Sequence, residues 1–451
     1  MYTPHTPEER QAMLRAIGVE RIEDLFVDVP EAYRYPKLNL PEGMTEMEAA
    51  AQMQTLADAN EQVGRDLISF LGAGAYHHYV PSVVDHILRR GEFYTAYTPY
   101  QPEVSQGTLH AIFEYQSLMC ALTGMEVANA SMYDGATAVA EAVNMAYHVF
   151  RGKRPKAVLA PSLHPQYLAT TRTYYEHSDR EVVVPEEGPM AEPDVVLNYV
   201  DDRTSLVMVQ YPDFFGRVYD FTALAEAVHE RGALFGVAVN PMALGLLKAP
   251  GDMGADIVTA EGQPLGIPLS FGGPYLGVFA TRKKYVRKIA GRLVGETIDS
   301  RGQRAYVLTL TAREQHIRRA RATSNICTNN ALMALAATVY LGLLGKQGFQ
   351  KVAALNYHKA HYAAQQIAAL EGYELAFPNT PFFNEFTVKT PMPARELLNA
   401  LLDEFDILGG YDLSQDYPEL DHHLLVAVTE MNSREQIDLL VQALDAIARQ
   451  G

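Results

Sequence analysis

The sequence predicts an α/β protein: a large domain on a mostly parallel sheet, a smaller α+β domain after it and a helical arm before it. Three observations point there. Between residues 156 and 260, short apolar runs alternate with helix-length segments, the pattern of strands buried on both faces. From about residue 300 the pattern changes to long helices and isolated strands. The N-terminal stretch carries two capped helices, and an arm of that size more often packs on a neighbour than folds alone. The expected boundaries are 1–65 for the arm, 66–300 for the large domain and 301–451 for the small one.

Composition narrows the function classes. The chain has 451 residues, enough for a large core, and 48% hydrophobic content, which argues against disorder. A formal net charge of −17 argues against a nucleic-acid groove or an anionic membrane surface. No run of 18 apolar residues suggests a membrane span, and MYTPHTPEER lacks a signal-peptide pattern. A cytoplasmic location is expected, with Cys120 and Cys327 as reduced, mostly buried thiols.

In the arm, Thr6 with Glu9 and Thr45 with Glu48 are capping boxes for helices ending near Gly18 and Asn60. Leu71–Tyr79 is a glycine-containing turn followed by His77 and His78, and Ser82 caps a short helix to Arg90. Phe93–Glu103, FYTAYTPYQPE, is too rich in aromatics and proline for a helix or strand and reads as a rigid loop presenting hydroxyls. Ser105–Thr123 is a helix ended by Gly124. Val127–Gly135 is a strand running into a turn, and the helix Ala136–Phe150 offers a phosphate its N-terminal N–H groups.

The alternating region follows. Strands are expected at Lys156–Ala160, Glu181–Val184, Ser205–Gln210, Ala233–Val239 and Asp256–Ala260, with helices at His164–Tyr175, Val195–Val200 and Tyr219–Arg231. Glu261–Pro268 is a polar, Gly/Pro-broken loop, Ser270–Gly273 a glycine turn and Tyr275–Thr281 another strand. Lys283–Leu293 starts as a helix, and Thr297–Ile326 is charged and irregular. Two long helices, Asn330–Gly345 and Gly348–Leu370, precede strands at Glu385–Lys389 and Leu424–Thr429 and helices at Ala394–Asp403 and Ser433–Gln450. Asp134 and Asp213 read as helix caps, and Lys248, Lys283 and Lys284 as solvated surface.

The segments HHYVPSVVDHILRRGEFYT, YTAYTPYQPEVSQGTLHAIFEYQSLMCALTG, VANASMYDGATAVAEA and TSNICTNNALMALAATVYLGLLG occur in order. Together they resemble the P-protein of the glycine cleavage system, the pyridoxal-phosphate glycine decarboxylase. The likeness is greatest to the N-terminal half of the long single-chain form, which in many bacteria and archaea is a separate subunit 1, or alpha subunit. It covers essentially the whole chain. It implies an aminotransferase-like large domain, fold type I of the pyridoxal-phosphate transferases.

Such an enzyme needs a lysine for the cofactor aldehyde, a carboxylate on the pyridine nitrogen, a phosphate cup and an aromatic or imidazole plane on the ring. Matching Pro268 and Gly272–Gly273–Pro274 to the family puts Gln263 at the Schiff-base lysine position, with Gly262 at the histidine before it. The Asp-Gly-Ala-Asn motif of the catalytic half falls on Val237, Ala238, Val239 and Asn240, so Val237 stands at the pyridinium-acid position. No lysine occurs from Ala249 to Thr281, and no catalytic residue is expected in this chain.

The resemblance therefore implies a non-lysine subunit whose homologue, the lysine-bearing subunit 2 (beta), binds pyridoxal phosphate in an α2β2 assembly. The complex decarboxylates glycine and passes the aminomethyl group to the lipoyl group of H-protein. Tyr94, Thr95, Tyr97, Tyr100 and Gln101, with Thr323, Ser324 and Asn325, are the candidates to reach the partner's site. The competing readings are a scaffold or regulatory paralogue docking the carrier, and a stand-alone pyridoxal-phosphate lyase or aminotransferase. No metal, nucleic-acid or membrane partner is expected.

Overall fold

In the computed structural model, which describes residues Pro4–Arg449, seven strands form the large sheet. Their spatial order is Val127–Ala128, Gly277–Thr281, Ile257–Glu261, Leu234–Val239, Thr204–Tyr211, Lys156–Leu159, Glu181–Val183. The last five are parallel to one another, while Gly277–Thr281 runs antiparallel to Ile257–Glu261 and to Val127–Ala128. Every residue of Leu234–Val239 is buried, as in a strand covered on both faces. Helices such as Gly135–Val149 and Pro165–Tyr175 bury their apolar sides in the core. The carboxyl ends of the parallel strands lead to His164, Gln210, Asn240 and Glu261, where the fold places its ligands.

A second sheet, Glu374–Leu375, Glu385–Lys389, His423–Ala427, Tyr411–Asp412, is antiparallel throughout. Helices Ala394–Phe405 and Arg434–Ala448 share one apolar core with it. Phe70 is fully buried in that same core, and Ile68–Ser69 pairs in parallel with Ile407–Leu408. The chain thus starts its main body in the C-terminal layer before entering the large sheet. By contact, the chain divides into two compact units, 1–61 and 62–451. Within the first, Thr6–Glu9 and Thr45–Glu48 make the expected capping boxes on Pro7–Ile17 and Glu46–Asp58.

Several expectations give way. Lys283–Leu293 is not a helix: a single turn spans Lys283–Tyr285, and Gly291 takes φ +75 so that it packs against Asn129. The stretch after it is irregular only beyond residue 308; its first part belongs to a hairpin, Val294–Ile298 with Arg304–Leu308. Asp299 closes its turn, accepting N–H groups of Arg301 and Gln303. The strand after Gly124 is two residues long. Pro81, not Ser82, is the N-cap of Ser82–Leu88. The two long helices stand as expected within the run Ala331–Ile367, which breaks at Gly345, where φ 59 and ψ −179 are not helical. By length and composition alone that run matches a membrane span, yet Ala334, Ala337, Tyr340 and Ala353 are buried in the large core. Both cysteines are free thiols, but Cys327 is exposed rather than buried.

Candidate functional site

The strand Ile257–Glu261 ends on a carboxylate that turns inward. Glu261 is 9% exposed and Gln263 fully buried, so the loop expected to be an ordinary polar connection is interior. Glu261 Oε1 accepts the N–H groups of Gln263 at 2.9 Å and Leu276 at 3.0 Å, and Oε2 accepts that of Gly135 at 2.9 Å. Burial pushes its carboxyl up to about 7 against these three donors, which favour the anion.

Gln263 does the opposite of what a lysine would do there. Its Oε1 accepts the N–H of Tyr76 at 2.9 Å, and its Nε2 donates to the carbonyls of Tyr76 at 2.9 Å and Ile267 at 2.8 Å. The amide is fully committed to main chain. Tyr76 donates its hydroxyl to Glu385 Oε2, while Glu385 Oε1 accepts the N–H of Ala73 at 2.7 Å. His78 meets Glu430 at 2.7 Å, and Thr429 donates to the carbonyl of His77. The segment 71–79 is therefore strapped across the strand ends by side chains from both sheets.

His164 sits at the end of Lys156–Leu159 and caps the helix Pro165–Tyr175. Its Nε2 donates to the carbonyl of Ala73 at 2.8 Å and its Nδ1 accepts from Gln166 N, the pattern of a neutral ring. Burial lowers its pKa in the same sense. Tyr167 stacks on it at 4.8 Å between centroids. Gly74, at φ +101, brings the strap within reach; a Cβ there would lie 2.9 Å from Nε2. Val237 is fully buried in register with Val209 and Val258.

Pyridoxal phosphate, which the fold family implies, does not fit this arrangement. The cavity left among Tyr76, His164, Val239, Asn240, Glu261 and Pro264 measures about 30 Å³. That holds a water molecule or two, whereas cofactor pockets run to roughly 300 Å³ and more. An adjoining open cleft of about 590 Å³ is bordered by Asp134, Tyr167, Glu261 and Asn330, with no lysine or arginine in its lining to receive a phosphate. Sequence reasoning missed Tyr76, His164, Glu261 and Glu385. His164 had a signal, an imidazole directly after an apolar strand; Glu385 lies more than a hundred residues from its partners and had none.

The residues singled out from the sequence lie elsewhere. Tyr94 ends the short helix Gly91–Tyr94 and is 69% exposed, and Tyr97 is 83% exposed. Both line a cavity of about 270 Å³ with Arg292 and Thr328–Asn330. Thr95 donates its hydroxyl to the Gly91 carbonyl at 2.6 Å, and Gln101 and Asn325 are exposed. Tyr100 lies over the Arg292 guanidinium and edge-on to His316. Thr323 and Ser324 are used inside the chain: the Thr323 carbonyl accepts from Asn144, and Ser324 Oγ donates to Glu141 at 2.7 Å. The neighbouring Asn329 and Asn330, not singled out beforehand, tie this segment to the Ala130–Tyr133 turn, and Asn330 also reaches the Tyr275 carbonyl. Arg292, 6% exposed, donates to Thr328, Asn329 and the Cys327 carbonyl. Asp134 is a helix cap, as expected. Asp213 is not: it pairs at 2.8 Å with fully buried Arg217. Among the described residues no group of three or more His, Cys, Asp or Glu is arranged to hold a metal.

Comparison with known proteins gives the family. The family model described as Glycine cleavage system P-protein matches residues 1–444. A protein of Thermomicrobium roseum named probable glycine dehydrogenase (decarboxylating) subunit 1 is 54% identical, covering 98% of this chain and 99% of that one. One of the same name from Desulforamulus reducens is 53% identical over 99% and 100%. A crystal structure of glycine decarboxylase (P-protein) of the glycine cleavage system, in inhibitor-bound form, superposes with a TM-score of 0.90 at 42% identity, covering 99% and 100%. Mouse CSAD, at 14% identity and a TM-score of 0.69 over 98% and 92% of the two chains, shares the fold, which is the fold type I expected. The chain belongs to the glycine cleavage system P-protein family, in its subunit 1 form.

Proposed function

We propose that this chain is the lysine-free alpha subunit of a cytoplasmic, heteromeric glycine decarboxylase. Its partner is a homologous subunit 2 (beta), which carries the lysine and binds pyridoxal phosphate, in an α2β2 assembly. The bound cofactor supplies the electron sink for loss of CO2 from glycine, and the lipoyl group of H-protein takes up the aminomethyl group. This chain supplies no proton carrier or nucleophile; it forms part of the wall of the partner's site. The observation that carries this reading is Gln263: the position that would bear the lysine is a buried amide with all its hydrogen bonds spent on main chain.

The wall is proposed to be the face bearing Tyr94, Thr95, Tyr97, Tyr100 and Gln101, where hydroxyls and an amide stand on a loop stiffened by Pro99 and Pro102. Asn325 lies exposed on the second segment, while Thr323 and Ser324 act by fixing it to the helix Gly135–Val149. Kinship with proteins named subunit 1 favours this over a stand-alone lyase or aminotransferase and over a scaffold that only docks the carrier. The test is reconstitution. The purified chain, mixed with subunit 2, cofactor, H-protein and labelled bicarbonate, is expected to support glycine–CO2 exchange that neither subunit gives alone. Exchange by this chain alone, or a borohydride-trapped lysine within it, would overturn the reading.

A further inference from the structure

The N-terminus of the helix Gly135–Val149 has the form of a phosphate cup, a turn delivering main-chain N–H groups to the end of a helix. The acceptor there belongs to the chain itself. Glu261 receives N–H groups from three separate pieces of main chain: Gly135 at the helix start, Gln263 in the loop after its own strand, and Leu276 just ahead of the next. Among the described residues no lysine, arginine or histidine nitrogen lies within ion-pairing distance of it. A buried carboxylate with no cation, held by main-chain N–H donors alone, is bound as an oxyanion is bound in a nest of amides. Space at this point is close: a Cβ on Gly135 would lie 2.5 Å from Tyr167 Oη and 3.0 Å from Glu261 Cβ.

We propose that Glu261 is a built-in anion standing where this fold otherwise seats a cofactor phosphate, so that the chain completes its own cup and folds without a ligand. Here the carboxylate arrives on the same strand end as Gln263, which clamps the strap, so the two residues that take up the phosphate place and the lysine place stand two positions apart. The inference concerns the chain by itself and does not rest on the partner reading.

Removing Glu261 should then create a site for an exogenous small carboxylate. Glu261→Ala deletes the equivalent of one acetate ion. Thermal unfolding of the full chain at pH 8 is the assay, with sodium acetate titrated against equimolar sodium chloride. The parent is expected to respond to the two salts alike. Glu261→Ala is expected to melt lower and to recover in acetate along a saturating curve that chloride does not reproduce. Glu261→Gln, isosteric but with an NH2 donor in place of one accepting oxygen, is expected to melt lower because that donor faces an N–H group of the cup, and to gain nothing from acetate. A Glu261→Ala response equal in both salts, or a Glu261→Gln protein as stable as the parent, would overturn the proposal. Should the alanine variant not fold, amide hydrogen exchange on the parent decides: the N–H groups of Gly135, Gln263 and Leu276 should be among the slowest, and exchange at loop rates would overturn it equally.

Discussion

Two regions of this chain have opposite character. Around Gln263 the polar groups face one another: amide to main chain, carboxylate to three N–H groups, imidazole to a carbonyl. Around Tyr97 they face outward, with rings 51–83% exposed at Tyr94, Tyr97 and Tyr100. The first is what an interior must be, since an unpaired buried polar group costs about 1–3 kcal/mol. The second is what a monomer avoids, because large exposed aromatics in one place mark a surface meant for contact. The difference directs the tests: one set to the pocket the fold family would suggest, the other to the exposed face proposed as the wall.

The largest way to break that contrast is to return an acid to the pocket. Val237→Asp puts a carboxylate between Val209 and Val258 with no cation to meet it. A cost of at least about 3 kcal/mol is expected, read as a lower denaturant midpoint. The double variant Val237→Asp with Gln263→Lys is expected to show no visible cofactor band, because strap and carboxylate still fill the space. A band, or a Val237→Asp protein as stable as its parent, would mean that the pocket is wetter and roomier than its hydrogen bonds indicate.

A second test titrates the strap. Burial raises Glu385 from its ordinary value of 4.5 to about 7, and Glu261 likewise. An acid whose folded value is raised stabilises the fold fully below its unfolded value and loses that contribution as pH rises through the folded one. The window is therefore pH 4.5 to 7, and for Glu385 the loss is on the order of 3 kcal/mol. The melting temperature should fall between pH 5 and pH 8, and Glu385→Gln should flatten the fall. An unchanged slope in that variant would show that Glu385 is ionised throughout.

How much of this was legible beforehand depends on the range of the interaction. Capping boxes at Thr6 and Thr45 and the buried strand at Leu234–Val239 are written within a few residues, and they are as expected. The proposed vacancy at Gln263 and Val237 rests on setting the turn Gly272–Pro274 against the family's pattern, which is also local. What fills the vacancy was not. Tyr76 reaches Gln263 across 187 positions and Glu385 across 309, and no local pattern encodes such pairings. The stretch 283–293 misled for a different reason: Val286, Ile289, Ala290 and Leu293 have helical spacing, but Gly291 in the left-handed region turns the chain into a hairpin. There the tertiary fit at Asn129 overrode periodicity.

The outward face calls for a test in the assembled enzyme. Tyr97→Ala should lower glycine–CO2 exchange by the reconstituted complex at least tenfold, which is about 1.4 kcal/mol in the transition state. The melting point of the isolated chain should stay put, because a side chain 83% exposed contributes little to its own fold. Loss of stability with unchanged exchange would reverse the assignment and make the loop a packing element.

The smallest effect is also the easiest to measure. Cys120 is partly buried and its thiol is pushed up to about 11, whereas Cys327 is exposed on the segment between Ser324 and Asn329. In the isolated chain Cys327 should react with a thiol reagent at the rate of a free surface thiol, and Cys120 much more slowly. The thiol thereby reports on the very face proposed to meet subunit 2. If that face is the contact, adding subunit 2 should slow Cys327 several-fold while Cys120 keeps its rate. Equal labelling of Cys327 with and without subunit 2 would move the contact away from the segment, and the wall would then rest on the Tyr94–Gln101 loop alone.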